Sequence, residues 1–577
     1  MSEGAGLRAA AEAWLAADPD PETRGELESL LASAGSDTAA TETLRVIFDG
    51  RLRFGTAGLR APLGAGPARM NRIVVRQATA AVMATLPEGA RVVIGHDARR
   101  KSDVFAADVA AVVAAGGGEA LLVGQVPTPV AAHAVKDRAA EAGIVITASH
   151  NPPGDNGYKL YDAGGVQIVP PTDAEVEAHM SAGGPPRRQL LPPAGDGSVR
   201  HVGPEAIDRY LAELAARLQG PQPAGGVSVA EPPEVVYTPL HGVGAGVLCR
   251  LFERLGLPAP AVVASQATPD GDFPTVTFPN PEEPGALDEA FALAAERGAD
   301  LVIANDPDAD RLAVAVPAPS GSTGDPKGAA GWYRFTGDEL GVLLADCLLR
   351  RRQAAGDGSP ALLAATVVSS RLLAEMANAA GVAHAETLTG FKWIARAADG
   401  RSERLLFGYE EALGYAVCDA VRHQDRASAA ALAAQLAGEL RAAGSSLLER
   451  LDDLHRRHGV YATGQVTLRI APAEAAAVTG RLRAHPPAEV AGQPVAEVVD
   501  YSEPGGVLPP TDMLAFGLAG GDRVIVRPSG TEPKLKIYIE TVEKVSGGDL
   551  AGSRDRARER LGKTAAAMRA AADGDAL

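Results

Sequence analysis

Short apolar runs alternate with stretches of helical composition through most of the chain. Arg91 to Gly95 reads as a buried strand, Ala106 to Ala115 as a helix and Ala120 to Val123 as a strand. A helix from Ala131 to Ala142 and a strand from Gly143 to Ile146 follow. A second block has strands at Glu234 to Tyr237, Ala261 to Ala264 and Leu301 to Ala304, with helices at Gly244 to Leu255 and Gly285 to Arg297. A third has helices at Glu339 to Arg350, Leu372 to Ala380 and Ala427 to Leu448, with strands at Ala361 to Val368 and Leu405 to Phe407. Strands alternating with helices predict parallel or mixed sheets with helices on their faces. Residues 5–50 read as an Ala/Leu/Glu helical preamble. The last part differs: strands at Gly464 to Ala471, Arg523 to Arg527 and Leu535 to Glu540, then an Ala/Arg helix, read as an α+β domain. Pro/Gly/Ser-rich joints fall at Ala182 to Gly197, Gly220 to Gly226 and Pro317 to Gly331.

A chain of 577 residues exceeds one core; at roughly 150 residues per domain it predicts three to five domains. The net charge of −17 argues against a general nucleic-acid partner. The three cysteines, Cys249, Cys347 and Cys418, form no C-x-x-C pair and read as small buried residues in a reducing cytoplasm. Met1 to Asp20 lacks an apolar signal-peptide core. The most apolar window, Val109 to Gly124, is too short and too broken to span a membrane.

Four loops carry the chemistry. Thr147-Ala148-Ser149-His150-Asn151-Pro152-Pro153 follows an apolar strand, and Asn156-Gly157-Tyr158-Lys159 comes next. A serine presented at a strand end beside His150 and Lys159 suits group transfer through a covalent intermediate. Asp306-Pro307-Asp308-Ala309-Asp310-Arg311 puts three carboxylates at alternate positions of one tight turn. They can converge on a hard cation, Mg²⁺ or Ca²⁺ in preference to zinc. An EF-hand is excluded, because Arg311 and Pro317 stand where Gly and Glu are needed. An acidic surface turn is the plainer alternative, but three clustered like charges are costly without a cation. Phe407-Gly408-Tyr409-Glu410-Glu411-Ala412-Leu413-Gly414-Tyr415 offers acceptors for vicinal sugar hydroxyls, or simply a solvated Glu pair. Arg527-Pro528-Ser529-Gly530-Thr531-Glu532-Pro533-Lys534 joins a guanidinium, hydroxyls, glycine N–H groups and an ammonium, a set suited to a phosphate dianion. The P-loop pattern is absent. Phe54 to Arg60 and Thr387 to Lys392 each place a basic residue beside flexible glycine backbone. Gly95 to Arg99 and Tyr237 to Gly242 read as structural turns.

With these motifs, FGTAGLR (54–60), TASHNPPGDNGYK (147–159), NDPDADR (305–311), TLTGFKW (387–393), GYEEALGY (408–415) and RPSGTEPK (527–534), the chain resembles the α-D-phosphohexomutase superfamily from about Arg51 to Glu540. Within it, the chain looks most like the phosphoglucomutase-2-like phosphosugar mutases. The resemblance implies an α/β fold of four domains: three related mixed α/β sheet domains around a cleft, and a mobile C-terminal α+β phosphate-binding domain. The expected spans are 1–219 with the phosphoserine loop, 220–325 with the metal loop, 326–457 with the sugar loop and 458–577 with the phosphate loop. It implies that Ser149 carries the phosphoryl group as phosphoserine and joins Asp306, Asp308 and Asp310 around Mg²⁺. Arg60, His150 and Lys159 match the surrounding basic residues. Arg311, Thr389, Gly390, Lys392, Glu410 and Glu411 match the substrate-binding set. Arg527, Ser529, Gly530, Thr531 and Lys534 match the clamp on the non-reacting phosphate.

The implied reaction interconverts hexose 1-phosphate and hexose 6-phosphate, glucose first and mannose next, with a sugar 1,6-bisphosphate as intermediate and activator. Lys159 or His150 would move the proton. The expected partner is a small phosphosugar, with no nucleic acid or membrane; the number of subunits stays open. Many relatives have Glu-x-Ser where Ala412 stands, and Lys-Asp-Gly where Arg422-His423-Gln424-Asp425-Arg426 stands. Both differences are expected where the sugar ring sits, so a phosphopentomutase is the alternative. A metal-dependent phosphohydrolase and a non-catalytic sensor are further ones.

Overall fold

The computed structural model describes residues 3–54, 58–182, 198–219, 232–318, 331–530 and 534–573. They form two compact units. The first holds the described residues up to Gln219 with 232–334 and 418–435; the second holds 335–417 and 436 onward.

The first unit has two mixed sheets. One orders its strands Leu59–Pro62, Asp155–Asp162, Ala142–Ile146, Arg91–His96, Glu119–Gln125 and Val199–His201. The last four run parallel and the first two antiparallel to their neighbours. Ala142–Ile146 is buried along its whole length, which is why it reads as an unbroken apolar run. The other sheet orders Trp332–Arg334, Leu312–Pro317, Leu301–Asn305, Val235–Thr238 and Ala261–Val262. The helical preamble is three helices, Glu3–Ala17, Pro21–Ser33 and Thr38–Phe48. Their buried faces (Trp14, Leu27, Leu44 and Ile47) join Val74, Ala78 and Val82 of the helix Arg72–Thr85 in one core. Each of the larger side chains contributes about 2 kcal/mol by leaving water.

The second unit has a mixed four-stranded sheet, ordered Ala383–Thr387, Ala361–Thr366, Arg404–Glu410 and Gly414–Ala416. A six-stranded sheet, antiparallel throughout, follows in the order Val460–Leu468, Leu535–Glu543, Arg523–Pro528, Leu514–Leu518, Gln493–Asp500 and Glu489–Val490. The helices Pro472–Ala484 and Leu550–Asp573 complete that region.

Several elements differ from the sequence reading. The single helix expected from Ala427 to Leu448 is two, Arg426–Ala442 and Leu447–His458. Gly444 takes a left-handed φ of +72° and Ser446 caps the second helix through Glu449 N–H, so the chain turns there. The helix expected over Ala131 to Ala142 is Thr128–Asp137, starting early with Pro129 in its first turn and stopping before Ala139, at φ +48°. The strand expected from Gly464 to Ala471 is Val460–Leu468, because Ala471 already caps the helix at Pro472. Leu59–Pro62, Asp155–Asp162, Leu312–Pro317 and Leu514–Leu518 are strands the pattern did not announce. The Pro/Gly/Ser-rich joints lie almost wholly outside the described residues. Among the described residues no helix is long and apolar enough to cross a membrane.

Candidate active site

In the first unit the serine loop joins the antiparallel strands Ala142–Ile146 and Asp155–Asp162, where Val145 faces Lys159. Thr147 Oγ1 accepts from the Ser149 N–H at 2.8 Å, which helps to hold Ser149 at φ +54°. Left-handed backbone is strained for a serine and persists only where the surroundings enforce it. Arg99 does much of that: its guanidinium donates to the carbonyls of Ser149 at 2.7 Å, Pro152 at 2.8 Å and Asp155 at 3.1 Å. The turn Gly95 to Arg99 is therefore structural, and the structure it serves is the serine loop.

The metal loop is the connection between Leu301–Asn305 and Leu312–Pro317, which pair Asn305 with Leu312. Asp306 Oδ1 accepts from the N–H groups of Asp310 at 3.1 Å and Arg311 at 2.9 Å, so the first carboxylate folds the turn. The Tyr237 to Gly242 turn braces it from below. Val243 N–H donates to the Pro307 carbonyl at 2.8 Å. A Cβ on Gly242 would lie 2.4 Å from backbone atoms of Pro307.

These loops meet. Ser149 Oγ donates to Asp306 Oδ2 at 2.5 Å, with Asp310 Oδ1 at 3.5 Å and His150 Nδ1 at 3.2 Å. Lys159 Nζ donates to Asp308 Oδ2 and Asp310 Oδ2, both at 2.7 Å. Thr128 Oγ1 donates to Asp308 Oδ2 at 2.7 Å. Arg60 reaches Asn151 Oδ1 at 3.4 Å from the neighbouring strand. Arg311 pairs with Glu282 at 3.1 Å.

Each aspartate offers one oxygen to a group spanning no more than 4.8 Å, and all three are buried. Asp308 Oδ1 is buried with no hydrogen-bond partner. An orphaned oxygen among converging carboxylates is what a hard divalent cation requires, so the residues present fit one. Burial drives the Asp306 carboxyl well above the ordinary carboxylate range, despite Arg426. Burial acts the same way on Asp308 and Asp310, but Lys159 outweighs it and holds both below that range, with Arg426 helping at Asp310. Burial would lower Lys159; Asp308 and Asp310 raise it above an ordinary lysine. Burial, with Arg311 and Arg60 nearby, keeps His150 neutral.

One member of this cluster was missed. The segment Arg422 to Arg426 was expected at the sugar ring. It folds with the first unit, where Arg426 donates to Asp306 Oδ1 at 2.5 Å and Asp310 Oδ1 at 3.0 Å. Tyr161 OH lies 3.1 Å from His423 Nε2, and Tyr210 OH donates to Asp425 at 2.6 Å.

The second unit holds the other predicted residues. Thr387 and Tyr409 stand beside the last residues of Ala361–Thr366, so the loops after both strands leave the same carboxyl edge. Ligand sites of open α/β sheets lie at such edges. Glu411 Oε2 accepts from Thr366 Oγ1 at 3.1 Å and Ser369 Oγ at 3.4 Å, while Glu410, at the strand end, is half-buried. Glu411 is thus a positioned carboxylate, and a merely solvated Glu pair does not describe it. Gly337 lets the loop close, since a Cβ there would lie 2.0 Å from the Glu411 carbonyl. Gly390 adopts φ +104°, and Lys392 is buried in the short helix Phe391–Ile394. Arg527 donates to Thr389 Oγ1, tying the third loop to the fourth. Ser529 N–H donates to the Lys534 carbonyl at 2.8 Å, closing the phosphate loop, with Gly530 exposed. Thr531 lies outside the described residues.

Residues 51–186, 208–321, 336–457 and 473–556 match in order the family models for phosphoglucomutase/phosphomannomutase alpha/beta/alpha domains I, II and III and the C-terminal domain. The chain belongs to the phosphoglucomutase/phosphomannomutase family. It is a phosphomutase, an isomerase-type phosphotransferase. It is 42% identical to a probable phosphomannomutase of Haemophilus influenzae over 82% of this chain and 93% of the relative. It is 35% identical to a probable phosphoribomutase of Schizosaccharomyces pombe over 92% and 93%. The crystal structure of parafusin, a phosphoglucomutase from Paramecium, shares the fold with a TM-score of 0.67 at 16% identity, covering 90% of this chain and 96% of that one.

Proposed function

We propose that this phosphomutase interconverts hexose 1-phosphate and hexose 6-phosphate, glucose or mannose, through phospho-Ser149 and a sugar bisphosphate. The observation that carries the reading is the buried contact of Ser149 Oγ with Asp306 and Asp310 in a carboxylate group fit for a divalent cation. The Oγ–P bond of phospho-Ser149 breaks as a bond forms between phosphorus and the free sugar hydroxyl. The bisphosphate then turns over, and its other phosphoryl group returns to Ser149. Mg²⁺ held by Asp306, Asp308 and Asp310 would supply neutralising charge to the transferring group. Lys159 is a fixed cation with two carboxylate partners. His150, neutral and 3.2 Å from Ser149 Oγ, is the better acceptor for the hydroxyl proton. Arg60 adds positive charge at the loop. Glu410 and Glu411 would accept from sugar hydroxyls, with Arg311, Thr389, Gly390 and Lys392 completing the substrate set. Arg527, Ser529, Gly530, Thr531 and Lys534 would hold the non-reacting phosphate.

A pentose 1-phosphate substrate is the second reading. It is favoured by Ala412 in the sugar loop and by the name of the phosphoribomutase relative, which spans more of this chain than the phosphomannomutase does. The test is a panel of glucose, mannose, ribose and deoxyribose 1-phosphates with Mg²⁺ and a trace of glucose 1,6-bisphosphate, read as kcat/KM while free phosphate is followed. A hexose preference above about tenfold supports the first reading, and a pentose preference of that size replaces it. Stoichiometric phosphate release without isomerisation overturns the proposed mutase chemistry.

A further inference from the structure

Arg426 is the first residue of the helix Arg426–Ala442, and its side chain is completely buried. The residue before it fixes the approach. Asp425 accepts from Tyr210 OH at 2.6 Å and from the Ser428 N–H at 3.4 Å. Beyond that anchor the guanidinium reaches the metal loop. Nη1 takes Asp306 Oδ1 at 2.5 Å and Nη2 takes Asp310 Oδ1 at 3.0 Å, while Nε is buried without a partner.

The pairing divides the carboxylates by oxygen. Asp306 gives Oδ1 to Arg426 and Oδ2 to Ser149. Asp310 gives Oδ1 to Arg426 and Oδ2 to Lys159. Asp308 gives Oδ2 to Lys159 and Thr128 and leaves Oδ1 unpaired. Two buried cations thus face three buried carboxyl groups, with Arg426 shared between Asp306 and Asp310 and Lys159 shared between Asp308 and Asp310. A guanidinium is permanently charged and cannot relieve crowding by losing a proton. A divalent cation brought into the same few ångströms meets a like charge in a site of low effective dielectric.

We propose that Arg426 is the resident counter-ion of the metal loop. It holds Asp306 and Asp310 in position in the absence of metal, and it makes the affinity for the divalent cation the outcome of a competition with the guanidinium. Arg426 is thereby a positioning residue that weakens metal binding and keeps the loop assembled between metal-binding events. The inference rests on the reading of the aspartates as cation ligands.

The test uses the full-length dephosphorylated protein and Mn²⁺ as the probe, with free Mn²⁺ read by electron paramagnetic resonance. Asp308→Asn serves as the site control. Arg426→Gln keeps a hydrogen-bonding side chain without the charge and is expected to bind Mn²⁺ about tenfold tighter or more than the natural protein. Arg426→Lys keeps the charge and is expected to stay within about threefold of it. Metal-free Arg426→Gln should also melt at a lower temperature, and Mn²⁺ should raise its melting point by more than it raises that of the natural protein. If Arg426→Gln folds only with metal, a chelator titration replaces the binding curve: slower or later release of Mn²⁺ than from the natural protein supports the competition. Unchanged or weaker binding by Arg426→Gln, beside a natural protein that binds, overturns it. A natural protein with no Mn²⁺ site that Asp308→Asn removes overturns the cation reading itself.

Discussion

The two units handle charge in opposite ways. In the first, Ser149, Lys159, Arg426 and all three aspartates are buried, and nearly every polar atom is committed to a named partner. In the second, Thr389, Glu410, Glu411, Arg527, Ser529 and Lys534 are only half-buried, and Gly530 is exposed. A group that transfers a phosphoryl must have its charges fixed before the reaction and shielded from water. Groups that bind and release a sugar phosphate must stay reachable and lose little on exchange. The contrast predicts that damage to the first unit costs catalysis or folding in large steps, and damage to the second costs affinity in small ones.

The largest step is Ser149→Ala. Removing Oγ removes the atom proposed to carry the phosphoryl group, so kcat should fall by on the order of 10⁵-fold or more. The melting temperature should hold within a few degrees, because Asp306 keeps Arg426 and two backbone N–H donors. Residual activity within about tenfold of the natural enzyme would remove Ser149 from the mechanism. Next is Arg99→Met. This leaves Asp97 buried beside it without its cation and frees four carbonyls of the serine loop, those of Ser149, Asn151, Pro152 and Asp155. Breaking a buried charge pair costs about 3–5 kcal/mol. Denaturant unfolding should show a loss of that size, and activity should fall with it although Arg99 touches no reacting atom.

How far the sequence could be read follows the same division. The serine and metal loops were legible because each follows a wholly buried strand, and polar residues there have no packing reason to cluster. Arg426 was not, since 116 residues separate it from Asp310 and its partners are set only by tertiary folding. A signal did exist. The helix after it is buried on every face from Ala429 to Ala434, so an arginine at its start needs a carboxylate to reach. Asp155–Asp162 stayed hidden for a related reason: Asn156 and Lys159 look like solvent-facing residues, yet both are buried, Asn156 donating to Ser102 Oγ and the Arg100 carbonyl and Lys159 to Asp308 and Asp310. The run Ala427 to Leu448 hid its break because Ala/Leu composition before Gly444 gives way to leucines again at Leu447 and Leu448, only two serines later.

Arg527→Ala probes the second unit. It removes a half-buried guanidinium that donates to Thr389 and is the proposed clamp on the phosphate. KM should rise about ten- to a hundredfold, equivalent to one or two charge-assisted hydrogen bonds, with kcat reduced less. Unfolding free energy should change by no more than about 1 kcal/mol. A stability loss as large as that of Arg99→Met would erase the distinction between the units.

One carboxylate in the second unit breaks the pattern. Asp338 is buried but takes its hydrogen bonds from neutral donors, the Ser370 N–H at 2.7 Å and Tyr409 OH at 2.9 Å. Burial outweighs those donors and pushes its carboxyl up to about 6. In the unfolded chain the same group titrates near its ordinary value of about 3.9. Between those limits the folded protein binds the extra proton, so unfolding free energy must fall as pH rises. The contribution is complete below about pH 4, is lost through pH 6 and is flat above, with a slope of at most about 1.4 kcal/mol per pH unit. Asp338→Asn keeps the accepting oxygen and removes the titration. Its stability relative to the natural protein should therefore improve from pH 4.5 to pH 7, as read from denaturant unfolding at the two values. A difference that stays constant across that range would mean that Asp338 is charged throughout and has a counter-charge, as the aspartates of the first unit do.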